Sequence, residues 1–332
     1  MSDQQTFNID FNVPFHLVYH YYISGTVAFF LNTFVIYLII FHSSRLDSFK
    51  FYLLAFQISC LICDLNTAFL MQPIGLFPIC AGYSYGILSR VFSWSSHLLM
   101  TIFTFLISEQ VNILAICFLR KHKAIMSLED ITSSANYIYH VWYSFCLLFP
   151  FAIAFSIYRS GDTLHEQMRI LEELYPEYAG QFGNLREFQY YPMNNKLILF
   201  FALVTFGTTK STVLITCLVY RMYTALTRIQ SRLSTYDLVK HKVVLKSLIV
   251  QFLTTPISFI PVFVIMMTVI VPTYHSQEIS WVACMVSTTH SIFNSIVVIL
   301  TYPEFRRVVV FWKTWKKKTK TSQRILINCF KI

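Results

Sequence analysis

Residues 18–42 read VYHYYISGTVAFFLNTFVIYLIIFH, with no Asp, Glu, Lys or Arg. A helix that crosses about 30 Å of hydrocarbon needs roughly 20 predominantly apolar residues, so this run is long enough to span a bilayer. Further runs of the same kind occupy 51–72, 91–119, 137–158, 197–220, 247–271 and 280–302. The seven together carry three formally charged side chains, Asp64, Glu109 and Lys210. Backbone amides in lipid find no water, so a spanning segment is either a helix or a strand of a closed barrel. A barrel strand needs only about 9–11 residues. These runs therefore predict an all-α membrane protein, a seven-transmembrane helix bundle.

Composition agrees. With 55% hydrophobic and 13% charged residues, 332 residues offer too little polar surface to coat a water-soluble globule. Of the 26 Lys and Arg, 20 fall in 43–50, 120–136, 221–246 and 303–332, and five fall in 1–17, 73–90, 159–196 and 272–279. The positive-inside rule then places the N-terminus outside and the C-terminus in the cytoplasm. The expected layout is an extracellular segment 1–17, a transmembrane domain 18–302 and a basic cytoplasmic tail 303–332. The net charge of +10 sits beside span ends, where anionic lipid is nearer than any nucleic acid, so the bilayer is the expected partner and nucleic acid is not. Residues 1–17 carry Asp3 and Asp10 but no basic residue, so the first run reads as a signal anchor and not a cleaved leader.

Enzymatic motifs are missing from the sequence. Eight glycines form no phosphate-cradling GxxxxGK, and His165-Glu166 is followed by Arg169 where a metalloprotease helix places its second histidine. No catalytic residue, metal site or cofactor is expected. Cys60 and Cys63 form a CxxC, but on an apolar helix they read as small packing residues. The segment 159–196 has no cysteine to pair with Cys80, so no outer disulfide is expected. Within it, Leu164, Met168, Leu171 and Leu174 follow near-helical spacing and predict a short amphipathic lid, ended by Pro176 and Gly180 to Gly183; an ordinary surface loop is the alternative.

Charges at membrane depth are costly, so Asp64, Glu109 and Lys210 are expected to face the bundle interior. Glu109 and Lys210 each lie 11 residues from a basic residue at the cytoplasmic edge, Arg120 and Arg221. At about 1.5 Å per residue they share a depth of about 16 Å. They are expected either to pair, or to part, with Lys210 snorkelling and Glu109 protonated. Asn32, Asp64 and Asn294 are expected to form an interior polar cluster, as a switch or as helix-to-helix glue. Pro256 and Pro261 are expected to bend the sixth helix, because each removes a backbone hydrogen bond.

The run from Leu70 through Pro73, Gly75 and Pro78 to Ala81-Gly82-Tyr83, the earlier Asp47 to Leu54, and Arg120 to Ile125 resemble the nematode serpentine chemoreceptors of class I (Sri) and the related class H (Srh). Tyr302-Pro303-Glu304-Phe305-Arg306 is similar to the Pro-x-Arg element that follows their seventh helix. The resemblance covers residues 15 to about 310. It implies a chemosensory G-protein-coupled receptor, placed in the plasma membrane of sensory cilia and coupled to a heterotrimeric G protein. Rhodopsin-like receptors are matched less well. Arg120 stands at the arginine of Asp-Arg-Tyr, but Leu119 and Lys121 replace its neighbours, and Asn294 begins Asn-Ser-Ile-Val-Val where those receptors have Asn-Pro-x-x-Tyr.

For a small-molecule ligand enclosed by the outer halves of the third, fifth, sixth and seventh helices, the expected contacts are His97, Met100, Phe103 and Trp281. Arg120, Arg221, Arg228, Arg232 and Lys246 are expected to face the G protein, with lipid headgroups as the competing partner. In the tail, Phe311, Trp312 and Trp315 alternate with Lys313 and Lys316 to Lys318, which suits a helix lying at the inner interface; Cys329 is either acylated there or free. The rival to a receptor is a transporter or channel relaying ions through Asp64, Glu109 and Lys210, against which stand the odd span count and the lack of an internal repeat.

Overall fold

The structure is a computed structural model that describes residues 7–43, 48–128, 136–185 and 187–309. Among the described residues, seven helices are long and apolar enough to cross a membrane: Phe15–Phe41, Phe49–Met71, Ser96–Ser127, Asn136–Tyr158, Asn195–Arg228, Thr235–Ile270 and Ser276–Thr301. They are called the first to seventh helices below. The third, fifth and sixth extend beyond the apolar runs by taking in Arg120 to Lys123, Arg221 to Arg228 and Lys240 to Lys246. Straight-chain basic residues favour helix and carry their charge outward on flexible stems, so they end a hydrophobic run without ending the helix.

Three of the helices depart from regular α-geometry. The second finishes in a π-helical turn, Asn66–Met71, and stops at Gln72 with φ 48°, its side-chain Nε2 donating to the Ala68 carbonyl at 2.8 Å. The sixth is two helices, Thr235–Thr254 and Pro256–Ile270, with Pro256 opening the second, where its missing N–H is not needed. Pro261 lies inside that second half. The seventh is also two, Ser276–Ser287 and His290–Thr301, separated at Thr288 and Thr289 without a proline. Nothing in the span-level reading anticipated that break.

At the end of the bundle where the chain loops carry few basic residues, a roof closes the helices. It holds a three-stranded antiparallel sheet, β1 Pro73–Leu76, β2 Ala81–Ser84 and β3 Phe188–Tyr190, in the order β1-β2-β3. Gly75 pairs with Gly82, and Tyr83 pairs with Phe188. The sheet adds to the all-α expectation. The lid helix forms as Leu164–Leu174, capped by Thr163 accepting from the Glu166 amide, but Pro176 does not end helical structure. It starts a second short helix, Pro176–Gly183, because a fixed φ near −65° is preorganised for a first helical turn.

The roof has its own apolar core, in which Ile74, Leu76, Leu171 and Phe182 are almost wholly buried beside Ile9 and Val18. A separate, larger core fills the opposite, basic end of the bundle, with Phe56, Phe118, Leu248 and Phe305 at its centre. Phe305 thus anchors the short helical segment 303–309 that follows the seventh helix. The seven described cysteines are all free. The tail positions Phe311, Trp312, Lys313, Trp315, Lys316 to Lys318 and Cys329, and Asp47 of the resemblance motif, lie outside the described residues.

Candidate functional site

Between the two cores the helices leave space. A cavity of about 220 Å³ lies under the β1–β2 hairpin, walled by Tyr21 and Gly25 of the first helix, Met71 of the second, Met100 and Phe103 of the third, Val262 of the sixth and Cys284 of the seventh. Phe77, Ala81 and Tyr83 roof it. The roof is fastened from below by the Tyr21 hydroxyl donating to the Pro73 carbonyl at 2.9 Å and by the Trp281 indole donating to the Gly75 carbonyl at 3.1 Å. Three roof groups stay neutral: burial pushes the Cys80 thiol and the Tyr83 and Tyr190 hydroxyls up to about 12, so all three keep their protons near neutrality.

The cavity floor is polar. Asp64, Gln110 and Ser291 line it, and behind them lies a connected set of buried amides and hydroxyls. Asn32 Nδ2 donates to Asp64 Oδ2 at 2.7 Å and to Ser291 Oγ at 2.8 Å. Its Oδ1 accepts from Gln57 Nε2 at 2.5 Å and from Ser295 Oγ at 2.6 Å. Asn294 reaches Gln57 Oε1 at 3.5 Å, and Gln110 Nε2 donates to the Cys60 sulfur at 2.9 Å. The expected trio of Asn32, Asp64 and Asn294 is therefore part of a larger network centred on Asn32, which ties the first, second and seventh helices together. Gln57, Ser291 and Ser295 were not singled out from the sequence. Ser291, Asn294 and Ser295 stand at i, i+3 and i+4, one face of a helix, which is the signal that marks them.

A second cavity of about 210 Å³ adjoins the first on the side of the fourth and fifth helices, sharing Met100, Phe103, Ile107 and Val262 as a partition. Its lining is almost entirely apolar, with Phe149, Phe200 and Phe259 among it. Asn112 lies at its edge and accepts from Lys210 Nζ at 3.0 Å. Of the two arrangements expected for Glu109 and Lys210, paired or parted, that contact accords with the second. Among the described residues no ion pair joins Glu109 to Lys210; the ammonium lies 4.9 and 4.7 Å from the ring centres of Phe145 and Phe149. An amide oxygen and two π-faces stabilise the cation without a second buried charge. Nor does any hydrogen bond link Asp64, Glu109 and Lys210 to one another.

Of the four residues expected to touch a ligand, Met100 and Phe103 line both cavities, while His97 and Trp281 line neither. His97 is held on both nitrogens: Nε2 donates to the Tyr158 carbonyl at 3.0 Å, and Nδ1 lies 3.0 Å from the Tyr191 hydroxyl. The tautomer follows from the carbonyl, which only accepts. A Cβ on Gly161 would lie 2.4 Å from the His97 ring, so only glycine lets the lid segment approach it. Trp281 is buried against His16 and fastened to the hairpin. Both residues support the roof and do not face the enclosed space.

At the basic end, Lys121 is 5% exposed and its ammonium donates to Nδ1 of His241 at 2.9 Å, bridging the third and sixth helices. His122 Nδ1 lies 2.6 Å from the Tyr139 hydroxyl. The half-buried Arg120 lies over the Tyr52 ring at 5.7 Å. Arg221, Arg228, Arg232 and Lys246 are exposed. Lys121 and His122 are thus the buried groups at this end of the third helix, while Arg120, expected to face the G protein, is half-buried.

Residues 7–309 match the family model described as serpentine type 7TM GPCR chemoreceptor Sri. No curated protein sequence matches the chain. Among solved structures the chain is similar to squid rhodopsin, with a TM-score of 0.60 at 13% identity, covering 92% of this chain and 87% of that one. At that identity the likeness speaks for the fold alone.

Proposed function

Because the chain belongs to the Sri family of serpentine seven-transmembrane chemoreceptors, we propose that it detects a small-molecule cue and activates a heterotrimeric G protein. On this reading the roof faces outward, the basic end faces the cytoplasm, and the receptor works in the plasma membrane, with sensory cilia as its site. Residues 1–17 are then extracellular, 18–302 form the receptor domain and 303–332 form the cytoplasmic tail.

The observation that carries the proposal is the position of Asp64, which lines the cavity beneath the hairpin and also accepts from Asn32 in the network joining three helices. A cue filling that cavity touches the network directly. A ligand moves a two-state equilibrium only by its difference in affinity for the two states. Shifting it from 1:99 to 99:1 takes about 5.5 kcal/mol. Small ligands reach at most about 1.5 kcal/mol per heavy atom, so a molecule sized for this cavity can supply that difference if the active state encloses it better. The cue is then read by Met100, Phe103 and Asp64, and the change is delivered to the helix ends bearing Arg120, Arg221, Arg228, Arg232 and Lys246.

The test is a panel of volatile and soluble cues applied to cells expressing the receptor, with calcium or cyclic nucleotide read out in the presence and absence of a dominant-negative Gα. A cue-evoked signal that the dominant-negative removes supports the proposal. A cue-evoked current or uptake indifferent to it refutes the proposal in favour of transport.

A further inference from the structure

Resting on the receptor reading above, we infer that the cue is a neutral lipophilic molecule that arrives from the outer leaflet, through a groove between the fifth and sixth helices, and not from water through the roof. The groove encloses about 990 Å³ and is lined by Ile198, Phe201 and Phe206 on one wall and Met266, Val269 and Ile270 on the other. Phe201, Met266 and Val269 also line the inner cavity of about 210 Å³ behind it. One layer of side chains therefore separates the bilayer from the enclosed space, and that space abuts the cavity above Asp64.

The layer is thin for a structural reason. The Pro256–Ile270 half of the sixth helix packs along the seventh and leaves the outer half of the fifth, which packs on the third and fourth, without close packing against the sixth. The gap is closed only by side chains. Phe201 and Met266 are half-buried, and an unbranched methionine adapts readily by rotating about its three side-chain bonds.

Two observations choose the lipid route over the aqueous one. First, neither lining along this route contains Asp, Glu, Lys or Arg, so an ionic cue would shed its water there with no compensating partner before it reached Asp64. Second, the N-terminal segment is fastened across the roof. Phe11 meets Phe182 edge-on at 5.0 Å, the Tyr178 hydroxyl donates to the Phe7 carbonyl at 2.6 Å, and Gln277 exchanges hydrogen bonds of 2.8 Å with the Asp10 backbone.

A thiol confined to the inner cavity supplies the assay: Ser108→Cys in a Cys80→Ser background, since Ser108 lines that cavity and not the groove, whereas Cys80 lines both. The intact receptor in lipid nanodiscs is treated at pH 8.5 with N-cyclohexylmaleimide or with a sulfonate-bearing maleimide of similar size. The thiol sulfur bonds to one alkene carbon and its proton passes to the other, and peptide mass spectrometry follows position 108. Labelling of the exposed Cys217 in the fifth helix normalises the membrane dose. The lipophilic reagent is expected to modify position 108 at least about tenfold faster than the charged one. Phe201→Trp should slow it by about tenfold and Phe201→Ala should speed it, as a steric barrier raised or lowered at the gap requires. Should Phe201→Trp not fold, Val269→Trp narrows the same gap from the other wall.

Equal rates for the two reagents, or rates unmoved by substitution on either wall, overturn the lateral route. Labelling needs neither cue nor G protein, so its failure leaves the receptor reading standing. A receptor that never signals leaves the labelling result intact.

Discussion

Asn32 Nδ2 donates to Asp64 Oδ2 at 2.7 Å, and this contact joins a residue that lines the cavity to a residue that holds three helices together. Asn32 is wholly buried, and its two side-chain atoms serve Asp64, Ser291, Gln57 and Ser295. Removing it strands the partners as well as the amide itself.

Asn32→Ala is therefore expected to cost about 1–3 kcal/mol of stability, the penalty for leaving buried polar groups unpaired. Thermal unfolding of the detergent-solubilised receptor checks this. Asp64→Asn keeps shape and removes charge, so it should fold but alter the agonist-independent signal, because Asn32 then faces an amide that must be oriented.

Cavity residues and roof residues should separate in their effects. Phe103→Ala is expected to raise the half-maximal cue concentration by about tenfold, near 1.4 kcal/mol of lost contact. His97→Ala and Trp281→Phe should instead lower surface expression while the molecules that reach the surface keep nearly the same potency. Antibody counting of surface receptor beside dose–response curves distinguishes the two patterns.

The legibility of the chain divides along the same physical lines. The first, second, fourth and seventh helices were readable within a few residues because hydrophobic runs and helix ends coincide there; Asn136–Tyr158 differs from the expected 137–158 by one position. The third, fifth and sixth were cut short, since Arg120, Arg221 and Lys246 end an apolar run without ending a helix. The sheet was not readable: strands of three or four residues, with Gly75 and Gly82 inside them, leave no alternation long enough to detect. Charge drew attention to Asp64, Glu109 and Lys210, and only Asp64 joins the network at the cavity floor. Neutral Gln57, Ser291 and Ser295 do more there, and a search for formal charge passes over them. His97 and Trp281 line neither cavity, and an amphipathic ring at a helix end suits a hydrogen-bonded roof support as well as a ligand contact.

The Lys121–His241 bridge ties the third helix to the sixth at the basic end. If a cytoplasmic cleft opens on activation, this bridge must part. Lys121→Gln and His241→Ala are each expected to raise cue-independent signalling, and the double variant should add little to either single one, because both remove the same contact. Basal cyclic nucleotide normalised to surface receptor measures it.

The roof should fail in alkali. Cys80, Tyr83 and Tyr190 hold their protons to about pH 12 when folded, against ordinary values of 9.0 for the thiol and 10.0 for the two hydroxyls. Between those limits the unfolded chain binds fewer protons than the folded one, so stability falls as pH rises. Unfolding temperature is expected to stay level between about pH 6 and 8.5 and to drop steadily above about pH 9, and Cys80→Ala should delay the onset of that drop.

The most direct measurement compares the cue response of the native receptor with that of Phe103→Trp, which fills the partition between the two cavities, in cells with and without a dominant-negative Gα. The account predicts a response that the dominant-negative abolishes and that Phe103→Trp weakens at equal surface expression. A response of undiminished potency in Phe103→Trp, or one that persists when Gα is blocked, would contradict it.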